Sequence, residues 1–460
     1  MSPAATPVGD TQGTDASLRR DRITTRDPRP AGELTGLAPA PRGFVGRLPA
    51  ALQVRDYRFL WVATLTTGLG NQMVAVAVGW QVYAIHQSAF DLGLIGLAEF
   101  VPLLVLALPA GQLADRISRR TIMAASLAME MAVVALLILV SISGAHALWP
   151  FLMLAVATGI AIAIGSPPGR ALPAMLVPVD LMASAMALRS VGFQFAGVTG
   201  PALGGFLFAL RPEVVYGTAT ALLGLGLVCS LRMHEPPFTR SSEAPGLRSL
   251  LAGIRLIRHT PVLLGAITLD LFAVLFGGAI ALAPVFARTV LHTGPIGLGF
   301  LRTAPAVGAL IAGAFLARRP HRRNAGRTLL VVVAAFGACM IVFGLSHSLP
   351  LSLAALAASG FVDMFSVNIR STTVALATPD DVRGRVLAVE MVFISASNEL
   401  GAFESGAAAA LIGAMPAVVA GGAVTIGLAA IWKWIFPALA RIDRLEDLRP
   451  EPVGVPGATV

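Results

Sequence analysis

Charge is scarce in this chain: Asp, Glu, Lys and Arg make up 13% of its 460 residues, about half the share usual in a soluble globular protein. Lysine is almost missing, with Lys433 alone among 34 basic residues. There are two cysteines, Cys229 and Cys339, each inside an apolar run. Two such thiols, lipid-facing or in the core, give no disulfide framework, and the seven histidines have no paired spacing that would hold a metal. No Gly-rich phosphate loop ending in Lys occurs, which argues against nucleotide-driven work and against a catalytic reading. No apolar h-region marks the N terminus, so no secretory leader is read there.

Apolar residues dominate instead, at 56% of the chain with a mean hydropathy of +0.77. A soluble globule of this length has too little interior to hide so much apolar surface. Twelve apolar segments can be marked, at 58–85, 91–112, 121–143, 148–166, 183–209, 213–232, 261–287, 296–316, 328–346, 349–369, 386–411 and 415–436. Most match the ~20 residues a spanning helix needs. None alternates or stops at about ten residues, as barrel strands do. In lipid every backbone polar group must be paired within the chain, which leaves helices. The fold class expected is an all-α polytopic membrane protein with twelve transmembrane helices in two pseudo-symmetric six-helix bundles.

The formal net charge is +9 and the pI about 10.9. In a soluble protein that balance would point to nucleic acid. Here it is the basic excess that orients membrane proteins, and no nucleic-acid partner is expected. Arg crowds the N-terminal stretch, the link after the second segment, the stretch 233–260, the link after the eighth, and the C terminus. Arg170 follows the fourth segment, and Arg370, Arg383 and Arg385 follow the tenth, in what read as loops of the same side. The opposite side has only Arg211 and Arg288. An even helix number with both termini cytoplasmic fits this split.

Five regions are expected: a polar cytoplasmic tail at 1–50, a six-helix bundle at 51–232, a linker with a basic amphipathic helix at 233–260, a second bundle at 261–440, and a tail at 441–460. The linker helix, with Leu250, Leu251, Ile254 and Ile257 against Arg248, Arg255 and Arg258, should lie on the membrane face. The halves look duplicated. Arg170 and Asp180 lie ten residues apart, as do Arg370 and Asp380, and both pairs are offset by 200 residues. Such repeats are common in secondary transporters.

Three strings carry chemistry. The first is Gly111-Gln112-Leu113-Ala114-Asp115-Arg116-Ile117-Ser118-Arg119-Arg120. Gly111 permits a tight exit from the second helix. Asp115 can take hydrogen bonds at a helix N terminus, and Arg116, Arg119 and Arg120 can pair with acids or lipid phosphates. The second is Gly200-Pro201-Ala202-Leu203-Gly204-Gly205 in the fifth helix, a kink flanked by close-approach glycines. The third is Thr378-Pro379-Asp380-Asp381-Val382-Arg383-Gly384-Arg385.

Ionisable residues at membrane depth are costly and mark function. They are Glu99, Glu130, Asp270, Arg302, Asp363, Glu390, Glu399 and Glu404. Asp270, Glu99, Asp363 and Glu399 are the proton-coupling candidates. Asp270 is favoured because Leu269, Leu271 and Phe272 beside it offer no partner. Glu130 can instead face a Ser or Thr of another helix, and Arg302 can snorkel to the outer interface. Asn71, Gln72, Gln194 and Asn398 supply neutral polar groups for a substrate cavity, or helix–helix hydrogen bonds.

The first string resembles the A motif of the major facilitator superfamily, and the second its antiporter motif. With Leu97-Ala98-Glu99-Phe100-Val101-Pro102 and Ser397-Asn398-Glu399-Leu400-Gly401, the chain resembles the enterobactin-exporter-like, transmembrane secretion effector branch over residues 51–437. The resemblance implies proton-driven efflux of a siderophore or amphiphilic drug by a membrane protein of the cytoplasmic membrane. Without a nucleotide site, no cofactor beyond an ion gradient is expected, and a monomer is the expected working unit. An Arg often found within the fourth helix of such antiporters has no match in 148–166. An importer on the same fold, or a non-transporting receptor or assembly factor, are the rival readings.

The charge pattern yields a topology test. With Cys229 and Cys339 replaced, a cysteine at Ser241 should react with an impermeant reagent in everted vesicles and stay unreactive in intact spheroplasts. Labelling from outside would reverse the orientation.

Overall fold

In the computed structural model the described residues are 49–144, 147–234, 247–319 and 323–448. The expected N-terminal tail, most of the first half of the linker and residues 449–460 lie outside them. The described chain is helical, with no strand. Its helices are α1 (Arg55–His86), α2 (Ala89–Arg116), α3 (Arg119–Ile142), α4 (Trp149–Leu176), α5 (Met182–Leu210), α6 (Pro212–Arg232), α7 (Leu247–His259), α8 (Pro261–Gly277), α9 (Ala283–Val285), α10 (Gly294–Arg318), α11 (Ala325–Leu345), α12 (Leu349–Ala377), α13 (Asp380–Ile412), α14 (Ala414–Ile435) and α15 (Pro437–Ala440).

Eleven spans are long and apolar enough to cross a membrane. α8, α9 and the turns around them form one such span, Pro261–Val290, broken after Gly277. The twelfth expected span, α1, has 32 residues but falls short in apolar content. Thr64, Thr66, Thr67, Asn71, Gln72 and Gln81 lower it. These groups are affordable only because α1 packs against α5, α6, α4, α2 and α10. Within that nest Asn71 donates to Glu130 at 3.1 Å, and the Tyr216 hydroxyl donates to the side-chain oxygen Oε1 of Gln81 at 2.9 Å. Tyr57 and Trp61 donate to the carbonyls of Ala185 and Leu188 on α5, at 2.6 and 2.9 Å.

Several helices outrun their apolar segments. α4 continues through Pro167, Pro168 and Pro173 to Leu176, ten residues beyond the expected end. Proline's fixed φ suits a helix, and α2 and α3 pack along α4 and hold it together where hydrogen bonds are lost. α12 likewise runs to Ala377 and α13 begins at Asp380. Arg170 and Arg370 therefore stand inside helices, not in the loops where their charge placed them. Asp380, Arg383 and Arg385 lie in the first turns of α13. α7 is not laid flat on lipid alone: Ile257 is buried in a cluster with Leu263, Val374, Val386 and Val389, while Arg255 and Arg258 stay exposed.

α1 to α6 pack among themselves, as do α8 and α10 to α14, and two extensive helix pairs join the sets, α2 with α13 and α5 with α10, with lesser contacts of α1 against α9 and α10. Each pair meets at glycines. A Cβ on Gly205 would stand 2.5 Å from the Pro295 carbonyl oxygen and 2.9 Å from Gly299 Cα. A Cβ on Gly406 would stand 2.7 Å from the Ala89 carbonyl oxygen and 3.0 Å from Gly93 Cα. All four glycines lie toward the helix ends away from the Arg-rich links. Small residues let helix backbones touch where lipid gives no hydrophobic drive for association. Thr303 donates to the Val198 carbonyl at 3.0 Å beside the α5–α10 pair. Nearer the Arg-rich ends a groove of about 350 Å³ runs between α2, α4 and α13, lined by Phe100, Leu103, Ile162, Arg170 and Met391. The two sets of helices thus meet closely at one end and leave a groove toward the other.

A side chain at Gly205 must push α5 from α10, since the obstacles are backbone atoms. Gly205→Val should cost about 1–3 kcal/mol at that seam and raise the reactivity of a cysteine placed at Pro295. Unchanged reactivity with full transport would show that the seam does not open and close.

Candidate functional site

A cavity of about 290 Å³ lies among α1, α2, α3 and α4, and on the side of the other set of helices it is lined by Ala281, Pro284, Arg302, Glu399 and Ala402. Its walls are largely aliphatic, and its polar groups are few: Asn71, Glu99, Glu130, Thr158, Arg302 and Glu399. Glu99 lies on α2, three residues before Pro102. The backbone of Glu99 rests directly on Gly159 of α4, where any Cβ would overlap its carbonyl. Glu399 comes from α13 and lies over Gly96 of α2: a Cβ there would stand 3.3 Å from Glu399 Oε2. Arg302 comes from α10 and shares its electric field with both carboxylates. Among the described residues none of the three closes to a direct ion pair. Glu130, on α3, is held differently: Asn71 donates to one oxygen at 3.1 Å, and the Ser126 hydroxyl lies 3.4 Å from the other.

Of the two readings the sequence left for Arg302, a functional group at membrane depth or a side chain snorkelling outward, the structure has the first. The side chain does not reach the outer interface but turns into the cavity against Glu99 and Glu399. A lone cation in a span bounded by two acids on other helices was the available signal, but only the packing brings the three together.

A second charged cluster lies wholly within the later helices. Arg370 of α12 pairs with Asp270 of α8 and places its Nε 3.8 Å from Glu390 of α13. All three are buried, and Asp363 lies within their field. Asp270 therefore has a partner that its sequence neighbours did not reveal. It comes from a helix one hundred positions away, extended far enough to carry Arg370 inward.

The remaining candidates scatter. Gly111, Asp115 and Arg116 belong to the last turns of α2, so the link to α3 is only Ile117 and Ser118. Gly111 makes no tight exit, having open space where a Cβ would go. The side chains of Asp115 and Asp380 lie outside the described residues. Arg116 is exposed, and Arg120 donates to the Leu231 carbonyl at the end of α6. Gly200 and Gly204 press α5 onto Gln72 and Met73 of α1, while Pro201 and Gly205 meet α10. Gln72 is thus a packing residue. Gln194 donates to the Ala306 carbonyl across the α5–α10 pair, and Asn398 donates to the Ile394 carbonyl of its own helix at 2.9 Å. Of the neutral polar candidates, Asn71 is among the cavity's lining residues. Arg383 donates to the Thr378 carbonyl at 3.3 Å, and Arg385 is exposed. Arg170 lines the groove, and Arg189 of α5, which the motifs did not touch, lies within its field.

The chain as a whole is similar to known proteins. A multidrug efflux pump, Tap, of Mycolicibacterium fortuitum is 28% identical over 75% of this chain and 87% of its own. The enterobactin exporter EntS of Shigella flexneri is 26% identical over 88% of this chain and 95% of its own. The fold matches the crystal structure of a bacterial homologue of the human lysosomal transporter Spinster, with a TM-score of 0.68 at 16% identity, over 83% of this chain and 96% of that one. The family model described as transmembrane secretion effector matches residues 49–452. The chain is a multi-pass membrane transporter, not an enzyme, and it belongs to the transmembrane secretion effector family of the major facilitator superfamily.

Proposed function

We propose that the protein exports an amphiphilic small molecule across the cytoplasmic membrane in exchange for protons, with Glu99, Arg302 and Glu399 as the coupling group. The observation that carries this reading is their placement: one acid on α2, one on α13 and the cation on α10, in a cavity that both sets of helices build. One guanidinium balances one carboxylate. The other carboxylate must take a proton or face a polar group of the cargo, because an unbalanced charge at this depth is costly. Rocking about the glycine seams moves α2 and α13 against each other and changes what each carboxylate faces. Such a motion is the alternating-access step of a two-bundle transporter.

Energetically the scheme is sufficient. One proton crossing about 100 mV releases roughly 2.3 kcal/mol, which sustains a cargo gradient of about fiftyfold at 1.36 kcal/mol per tenfold. The aliphatic walls favour an apolar body on the cargo. A siderophore or another amphiphilic small molecule is the candidate cargo, a reading supported by the similarity to a multidrug efflux pump and an enterobactin exporter, and the working unit in this reading is a monomer with no bound cofactor. Both termini face the cytoplasm, as the Arg distribution indicates.

The coupling test separates proton movement from rocking. Counterflow in proteoliposomes exchanges labelled for unlabelled cargo with no net proton movement. Glu99→Gln and Glu399→Gln should keep counterflow but run pH-driven transport at least about tenfold slower. Wild-type pH-driven rates in both variants would remove this pair from the mechanism.

The Asp270–Arg370–Glu390 cluster is assigned a different task, since its charges already meet inside one set of helices. Arg370→Met leaves two buried carboxylates without their cation and should destabilise the protein by about 3–5 kcal/mol. Adding Asp270→Asn should recover part of that loss. Thermal unfolding of the purified variants measures both, and full stability of Arg370→Met would overturn the assignment.

A further inference from the structure

Away from the central cavity, Arg327, Lys433 and Arg441 converge on a groove of about 680 Å³ between α11 and α14. Arg327 stands in the first turn of α11, Lys433 in the last turn of α14, and Arg441 just after α15. The backbone fixes this meeting. The N–H groups of Ala325 and Gly326 donate to the carbonyls of Asp443 and Ile442 at 3.1 and 3.0 Å, which ties the segment after α15 to the start of α11. All three cations are exposed, and none has an ion-pair partner among the described residues. Lys433, the chain's one lysine, lies 4.3 Å from the ring centre of Trp434.

The rest of the groove is apolar. Val331 and Trp434 are 65% and 68% exposed, and Ile426 lies deeper along the same wall. Cations thus stand at the helix ends with an apolar wall running from them toward the middle of the spans. A free anion would meet the cations and leave the wall uncovered. A lipid supplies both parts in the required order, with its phosphate at the interface and its acyl chains along the helices. Recognition falls to the side chains, because the first N–H groups of α11 are already taken. The ammonium of Lys433 serves as a compact charge for phosphate, flanked by two guanidinium forks.

We propose that this groove binds an anionic glycerophospholipid of the leaflet on the Arg-rich side, its phosphate held by Arg327, Lys433 and Arg441. The proposal rests on the membrane fold and is independent of proton coupling or cargo. α11 and α14 take no part in the two glycine seams, so the lipid rides on the later set of helices. It holds that set at the interface while the other set moves.

The test uses full-length protein purified in detergent and presented with phosphatidylglycerol, phosphatidylcholine or inorganic phosphate. Native mass spectrometry should show phosphatidylglycerol retained over phosphatidylcholine. The triple variant R327Q/K433Q/R441Q should retain at least about fivefold less, each basic residue near a lipid surface being worth roughly that factor. The control R255Q/R258Q on α7 should bind as wild type. Equal retention of both lipids, or undiminished retention by the triple variant, overturns the proposal. Displacement of phosphatidylglycerol by millimolar inorganic phosphate does so too, since it identifies a free-anion site. If the triple variant does not fold, thermal unfolding of the wild type decides. Phosphatidylglycerol should raise the midpoint where phosphatidylcholine and phosphate do not, and no such difference refutes the site.

Discussion

A bilayer offers no water to the polar groups of a spanning chain, and each feature of this protein answers to that constraint. It forces the apolar segments into helices. It lets α4 run through three prolines, because neighbouring helices protect what a solvated chain would lose. It also makes α1, the least apolar span, a central element whose Asn71 and Gln81 find partners on α3 and α6. Outside this nest the same residues would weaken a spanning helix.

The same constraint separates two charged clusters. Around Arg370 the charges are already met within α8, α12 and α13, so this group ties helices that move together. Around Arg302 the charges come from α2, α10 and α13, and among the described residues no direct ion pair is closed. A group that spans two sets of helices changes its balance whenever they rock. A group confined to one set does not. The proposed coupling therefore uses the former, although Asp270 stood out in the sequence for its apolar neighbours.

The glycine motifs acquire meaning from their partners. Gly200 and Gly204 fit α5 to α1 within one set, whereas Gly205 faces Gly299 across the two. Gly93 and Gly406 repeat that contact between α2 and α13. A hinge needs backbones that touch without interlocking side chains, and these two crossings supply it. They lie away from the Arg-rich ends, so the groove lies on the Arg-rich side.

The amino-acid pattern by itself determined the membrane class, the helical state, the span positions to within a few turns, and the polarity of the charge, because these depend on composition averaged over about twenty residues. It also marked Glu99 and Glu399, since an acid at that depth is conspicuous alone. It could not say that α4 and α12 would carry Arg170 and Arg370 inside helices, for proline ends most helices in water and a charge marks the end of an apolar span. Nor could it say that Arg302 turns inward to two acids, or that Asp270 is already paired. Those facts depend on which faces of distant helices meet. Only the packed structure decides them, because in a bilayer each charge must find its partner across space rather than along the chain.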